Sequence, residues 1–182
     1  MPLVAVLSDT HSSTDYIGRV VARLQEIKPD LTLHLGDFYD DTQAIISAGF
    51  KVIQVPGTWT SYYKRTDIEN RIYMDLFGWT AFLTHTPTRH FNDLPLDIDP
   101  RQVIKDRNAD ILMHGHTHHP KIEIENKVVI FNPGHLYNQD NRGFPPTFGL
   151  LSFSEEGVMI TIQELLSGAR FASKLVTKEE LK

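Results

Sequence analysis

Three short apolar runs in the first 55 residues constrain the fold of this chain most. They are PLVAVLS at 2–8, LTLHL at 31–35 and FKVIQV at 50–55. Each has strand length and is apolar enough to be buried. Between the first two, Ile17, Val20, Val21, Leu24 and Ile27 recur at helical spacing over 14–28. Ser13 or Thr14 can cap that helix, and Pro29 ends it. A shorter helix over 41–48 closes at Gly49. Strand, helix, strand, helix, strand in this order predicts a parallel sheet with right-handed crossovers.

The pattern then changes. RIYMDL and WTAFLTH flank Phe77-Gly78 and read as a hairpin. A polar, proline-containing loop follows over 86–98. Asp99, Pro100 and Gln102 form a helix start: a capping acid, proline in the first turn and Gln at the capping-box position. That helix ends near Asn108. DILMH at 110–114 is a further buried strand. KIEIENKVVIFN turns at Glu125-Asn126, and TFGLLSFSEEGVMITIQEL turns between Glu155 and Gly157. The last dozen residues are mixed in charge and carry no clear period. Nothing resembles a repeat or a linker, and 182 residues suffice for one domain spanning 1–182. Hydrophobic pattern alone gives an α/β class.

Charge and composition exclude several functions. The net charge is −5 with no Lys/Arg cluster, which argues against nonspecific binding of nucleic acid. No run approaches the ~20 apolar residues of a membrane span. The N-terminus enters a strand directly and lacks the form of a signal peptide. Cysteine is absent, so neither disulfides nor a thiolate metal site can form. A soluble cytoplasmic protein is the expectation.

The side chains that directly follow the strands carry the chemistry. Asp9 and His11 follow the first, Asp37 the second, His85 the WTAFLT strand, and His116 and His118 the DILMH strand. Open α/β sheets bind ligands beyond the carboxyl ends of their strands, so these residues can meet. Two carboxylates and four imidazoles exceed what one tetrahedral ion needs. A bridging acid can join two ions roughly 3.5–4 Å apart, and Asp37 is the candidate. Mixed oxygen and imidazole donors suit two divalent ions, manganese first, with nickel, zinc, iron or cobalt as alternatives. His114 reads as a packing or supporting residue, His119 as exposed, and His34 as a core histidine. His116 and His118 project to one side if the loop is extended, and Gly115 lets the chain pass close to the ions.

Asp-x-His at 9–11, Gly-Asp at 36–37, His85 after a strand, Gly-His-Thr-His at 115–118 and Asn-Pro-Gly at 132–134 together resemble the calcineurin-like metallophosphoesterases. The likeness is strongest to the small bacterial and archaeal phosphodiesterase group and covers residue 3 to about 165. It implies a four-layer α/β/β/α sandwich of two mixed sheets, a dinuclear centre and hydrolysis of phosphate esters by a metal-bridging hydroxide. By this resemblance Asp9, His11, Asp37 and His118 hold one ion, and Asp37, His85 and His116 the other. The implied substrate is a small phosphate ester or nucleotide, with a diester favoured.

One motif departs. Where the family has Gly-Asn after the third strand, with the Asn carbonyl on the second ion, this chain has Gly57-Thr58-Trp59-Thr60. The hydroxyl of Thr58 is a shorter, neutral ligand. The second site is expected to be weaker, or completed by water or substrate. The alternative function is a phosphoesterase fold with weakened or lost catalysis that acts as a binding or scaffold module, as a retromer subunit of this likeness does. Trp59, Tyr62 and Tyr63 read either as a platform for a nucleobase or aryl group or as packing, including a contact between copies in a homo-oligomer. His90 and Arg89 read as contacts to substrate phosphate or as a solvated loop. Asn132 and His135 flank the Asn-Pro-Gly turn and are not assigned to the site.

Overall fold

The computed structural model describes residues 1–137, 139–140 and 142–182. Two mixed sheets stack face to face. The six-stranded sheet contains β1 (Leu3–Leu7), β2 (Leu31–His34), β3 (Val52–Gln54), β9 (Thr147–Phe153), β10 (Val158–Glu164) and β11 (Arg170–Val176), in the order β11-β10-β9-β1-β2-β3. The five-stranded sheet contains β4 (Arg71–Leu76), β5 (Trp79–Thr84), β6 (Ile111–Met113), β7 (Lys121–Glu125) and β8 (Val128–Asn132), in the order β4-β5-β6-β8-β7. Strands β1, β2 and β3 pair in parallel, and so do β5, β6 and β8.

Three apolar interfaces define the layers. Val4, Val6 and Leu33 of one sheet meet Ala81, Leu83, Met113 and Phe131 of the other in the central core. Helix α1 (Thr14–Ile27) places Val20 and Leu24 on the outer face of the first sheet, with Ile45 of α2 (Gln43–Ser47) beside them. Helix α3 (Pro100–Asp106) places Val103 and Ile104 over Phe82 and Leu112 on the outer face of the second. This is the four-layer α/β/β/α sandwich.

Local signals decide most boundaries. Asp99 caps α3 by accepting from the Arg101 backbone N–H at 2.9 Å, but Gln102 does not complete a box and bonds Asp106 instead. Ser13 stands at the N-cap of α1 without a side-chain cap bond. The helix is held by its buried face. The unassigned tail forms β11, an edge strand whose Phe171 and Leu175 stay exposed. Its buried period is weak because only one face has a partner. No described helix is long and apolar enough to cross a membrane.

Candidate metal centre

Because both sheets contain parallel strands, the carboxyl ends of β1, β2, β5 and β6 open on the same side of the sandwich. The six predicted ligands meet there, on the walls of one cleft of about 340 Å³. His11 Nε2 is 3.0 Å from His118 Nε2, and His11 Nδ1 is 3.2 Å from Asp37 Oδ2. His118 Nε2 is 3.5 Å from Asp9 Oδ1. His116 Nδ1 is 3.3 Å from His85 Nε2. Asp9, His11 and His118 present ligand atoms within 4.8 Å of one another.

The backbone is bent to achieve this. Asp9, His11, Asp37, His116 and His118 all have φ between 48° and 93°. Such conformations are uncommon outside glycine, and they gather where the surrounding structure imposes them. The Gly-His-Thr-His loop is therefore not extended. His116 and His118 face one cleft because both adopt left-handed geometry, with Thr117 Oγ1 bound by Asn132 Nδ2 at 2.8 Å. A Cβ on Gly115 would lie 1.8 Å from Ser8 Oγ and 2.6 Å from Asp9 Oδ2, so only glycine lets this loop cross Asp9.

Hydrogen bonds between the sheets set the imidazole orientations. His85 Nδ1 lies 2.8 Å from the Leu35 carbonyl oxygen. The proton belongs on Nδ1, and Nε2 turns its lone pair toward His116. The His116 backbone N–H donates to both Asp9 oxygens, at 2.9 and 3.1 Å. His34, fully buried, accepts from the Gly36 N–H through Nδ1 and faces Thr10 Oγ1 through Nε2. Thr10 Oγ1 in turn donates to Asp41. His34 is thus a satisfied core residue that braces the loops after β1 and β2.

The electrostatics suit cations. Burial pushes the His85 imidazole down to about 4 and lowers His11 and His116, so these rings are neutral and free to ligate. Burial opposes charge on Asp9, but the His118 hydrogen bond and the nearby His85 and His118 hold its carboxyl well below the usual range. Burial, then repulsion from Asp9, pushes Asp37 up to about 7. Burial opposes charge on His118, but its bond and charge attraction to Asp9, together with its bond to Asp140, leave the imidazole raised. Two carboxylates crowded among four imidazoles, three of them held neutral, are a donor set that divalent ions fit, since a cation supplies the counter-charge.

Sequence reasoning missed Asp140, Tyr137 and Arg142, which also line the cleft. Asp140 Oδ1 sits 3.1 Å from His118 Nδ1, and Oδ2 sits 3.3 Å from His135 Nε2, which bonds the Phe144 carbonyl. His118, His135 and Asp140 form a second compact trio. It shares His118, so Asp140 acts as a support for that ring. Arg142 bonds Asp140 at 2.7 Å, and Tyr137 stacks on His11 with ring centres 4.7 Å apart. The signal available was position: this loop also leaves the carboxyl end of a parallel strand, β8.

The loop after β3 divides by residue. Thr58 is buried and outside the cleft wall, and its hydroxyl has no hydrogen-bond partner among the described residues. Thr60, not Thr58, closes the turn by bonding the Gly57 carbonyl at 2.9 Å. Trp59 lines the cleft. Tyr62 stacks on Tyr39, and Tyr63 is buried against Arg71 and Asp93. His90 lies beside the cleft, 5.8 Å ring to ring from both Trp59 and His116. Arg89 is exposed. A larger depression of about 800 Å³, walled by Phe77, Phe153, Met159 and Leu175, contains none of the six ligands.

Residues 3–156 match the calcineurin-like phosphoesterase superfamily domain. No curated protein matches the chain. Among solved structures, the chain is similar to YfcE, a phosphoesterase from E. coli, at 22% identity and TM-score 0.71. That alignment covers 96% of this chain and 100% of the other. It is similar to an archaeal phosphodiesterase at 19% identity and TM-score 0.67, covering 88% and 99%. It is also similar to Vps29 from Entamoeba histolytica in complex with zinc, at 20% identity and TM-score 0.69, covering 96% and 98%.

Proposed function

Because the chain belongs to the calcineurin-like phosphoesterase superfamily, we propose that it is a metal-dependent phosphoesterase with a dinuclear centre. One observation carries the reading: two carboxylates and four imidazoles from distant loops converge on one cleft. In this reading Asp9, His11, Asp37 and His118 would hold one ion, and Asp37, His85 and His116 the other. Manganese is the first choice, ahead of nickel, zinc, iron or cobalt. Bound ions supply Lewis-acid polarisation of the phosphate and lower the pKa of water. The chain's own groups do the rest. Leu35 and Asp140 fix the rings of His85 and His118. Arg142, half-exposed at the rim, offers its guanidinium to a phosphate oxygen.

The favoured substrate is a phosphodiester of a small molecule or nucleotide, a choice supported by the phosphoesterase and phosphodiesterase among the solved neighbours. Manganese-loaded protein is expected to hydrolyse an aryl phosphodiester, and Asp37→Asn to abolish turnover. Activity that survives Asp37→Asn would remove the support.

A second reading rests on Thr58 and on the Vps29 neighbour. Here the fold retains its ligands but acts through protein contacts, with the exposed apolar residues Phe77, Met159 and Leu175 as the surface. Absence of turnover with every metal tested, together with protein-contact defects on Met159→Asp, would favour it.

A further inference from the structure

Two exposed aromatic rings stand together at the cleft, Trp59 on its wall and Phe91 against Trp59. Trp59 is 71% exposed and Phe91 77% exposed. Isolated exposed aromatics are ordinary, but these two touch, with ring centres 5.4 Å apart at 65°. His90 contacts both, 4.3 Å from Phe91 and 5.8 Å from Trp59, and reaches His116 at 5.8 Å. A continuous line of rings therefore runs from solvent to a metal-ligating histidine.

The rings are held in place from below. Asn92 Nδ2 donates to the Thr58 carbonyl at 3.0 Å, and Lys64 Nζ donates to the Asn92 carbonyl at 2.8 Å. Asp93 accepts from the His90 N–H at 2.9 Å and pairs with Arg71 at 3.1 Å, both side chains almost wholly buried. Two loops, after β3 and after β5, are thus clamped together directly beneath Trp59 and Phe91. Pre-ordering of this kind lowers the cost of ligand binding. Tyr137 on the other wall is already stacked on His11, so Trp59 and Phe91 are the open face.

We infer that Trp59 and Phe91 form a stacking platform for a planar aromatic group, a nucleobase, carried by the phosphate ester. The inference rests on the phosphoesterase reading, which places the phosphate at the histidine cluster. An exposed ring face, braced edge-on by its neighbour and one imidazole away from that cluster, matches a nucleoside phosphate, whose charged and aromatic ends are separated by one sugar. Stacking on an aromatic side chain is sequence-tolerant, so the platform selects for a base without selecting which base.

The test compares adenosine 5′-monophosphate with ribose 5-phosphate on manganese-loaded protein, by calorimetry and tryptophan fluorescence. The only other tryptophan, Trp79, is 4% exposed, so quenching that disappears in Trp59→Ala reports the platform, whether or not turnover occurs. The expected result is quenching by the nucleotide alone, and roughly 10-fold tighter binding than ribose 5-phosphate. Trp59→Ala and Phe91→Ala should each erase most of that preference. Equal affinity for the two ligands without quenching overturns the platform and leaves the phosphoesterase reading standing. Binding of neither ligand overturns both. A change in sedimentation of Trp59→Ala with unchanged nucleotide affinity also overturns the platform and makes the patch a contact between copies.

Discussion

His85 Nδ1 and the Leu35 carbonyl oxygen are 2.8 Å apart, a hydrogen bond that joins the two sheets at the floor of the cleft. It determines which nitrogen of His85 is available as a ligand. Gly36, next in the chain, has φ +96°, and a Cβ there would lie 2.7 Å from His85 Nδ1. Gly36→Ala is therefore expected to destabilise the protein by about 2 kcal/mol or more, from the left-handed backbone and the clash together. Urea unfolding measures the loss. A midpoint equal to that of the parent protein would show that His85 is not fixed from this side.

Asp140 Oδ1 lies 3.1 Å from His118 Nδ1, the ring nitrogen turned away from Asp9. Outer partners of this kind hold a ligating imidazole in one tautomer. Asp140→Asn should leave the fold intact and weaken manganese affinity by roughly 10–100-fold. A metal titration with circular dichroism on the same sample checks both halves. Unchanged affinity would make Asp140 a surface residue that merely touches the ring.

Histidine burial predicts the acid response of metal-free protein. His34, His85 and His114 are pushed down to about 4, chiefly by burial. In the unfolded chain such groups protonate near 6.5. Between about 6.5 and about 4 the unfolded state binds more of these protons, so stability falls as pH drops through that window. Asp37, raised to about 7, and His118, also raised, have the opposite sign over an overlapping range, but they are two groups against six lowered histidines, His11, His116 and His135 joining these three. The urea midpoint in the presence of a chelator should be lower at pH 5 than at pH 7, with a smaller difference in His34→Gln. A midpoint that rises on acidification would contradict the assignment of neutral buried rings.

The hydroxyl of Thr58 gives a paired test. A buried hydroxyl without a partner costs about 1–3 kcal/mol. Thr58→Val should stabilise the metal-free protein by about 1 kcal/mol, and Thr58→Asn should raise the amount of manganese retained per chain. If Thr58→Val instead lowers both stability and metal content, the hydroxyl already serves the site.

Much of this was legible in the residues. The alternation of Val4–Leu7, helix and Leu31–His34 predicts the parallel half-sheet, and the acids and histidines after each strand predict a shared cleft. What was not legible has physical causes. The strand Arg170–Val176 lies at an edge with one exposed face, so its pattern is diluted. The supporting role of Asp140 depends on the fold of the loop after β8, which no local period encodes. The side-by-side projection of His116 and His118 was expected from an extended loop but arises from left-handed backbone at both residues. The loop after β3 turns Trp59 to the cleft and Tyr63 to the interior, a division that the similar character of the two side chains does not encode.

The central claim is that the six-residue cluster is a two-ion hydrolytic centre. Its most direct test is the metal content per chain, by mass spectrometry after manganese incubation and desalting, with aryl-phosphodiester turnover on the same sample. The account predicts close to two ions per chain and turnover that is lost with Asp37→Asn. One ion or none, with no turnover across manganese, nickel, zinc, iron and cobalt, would contradict it.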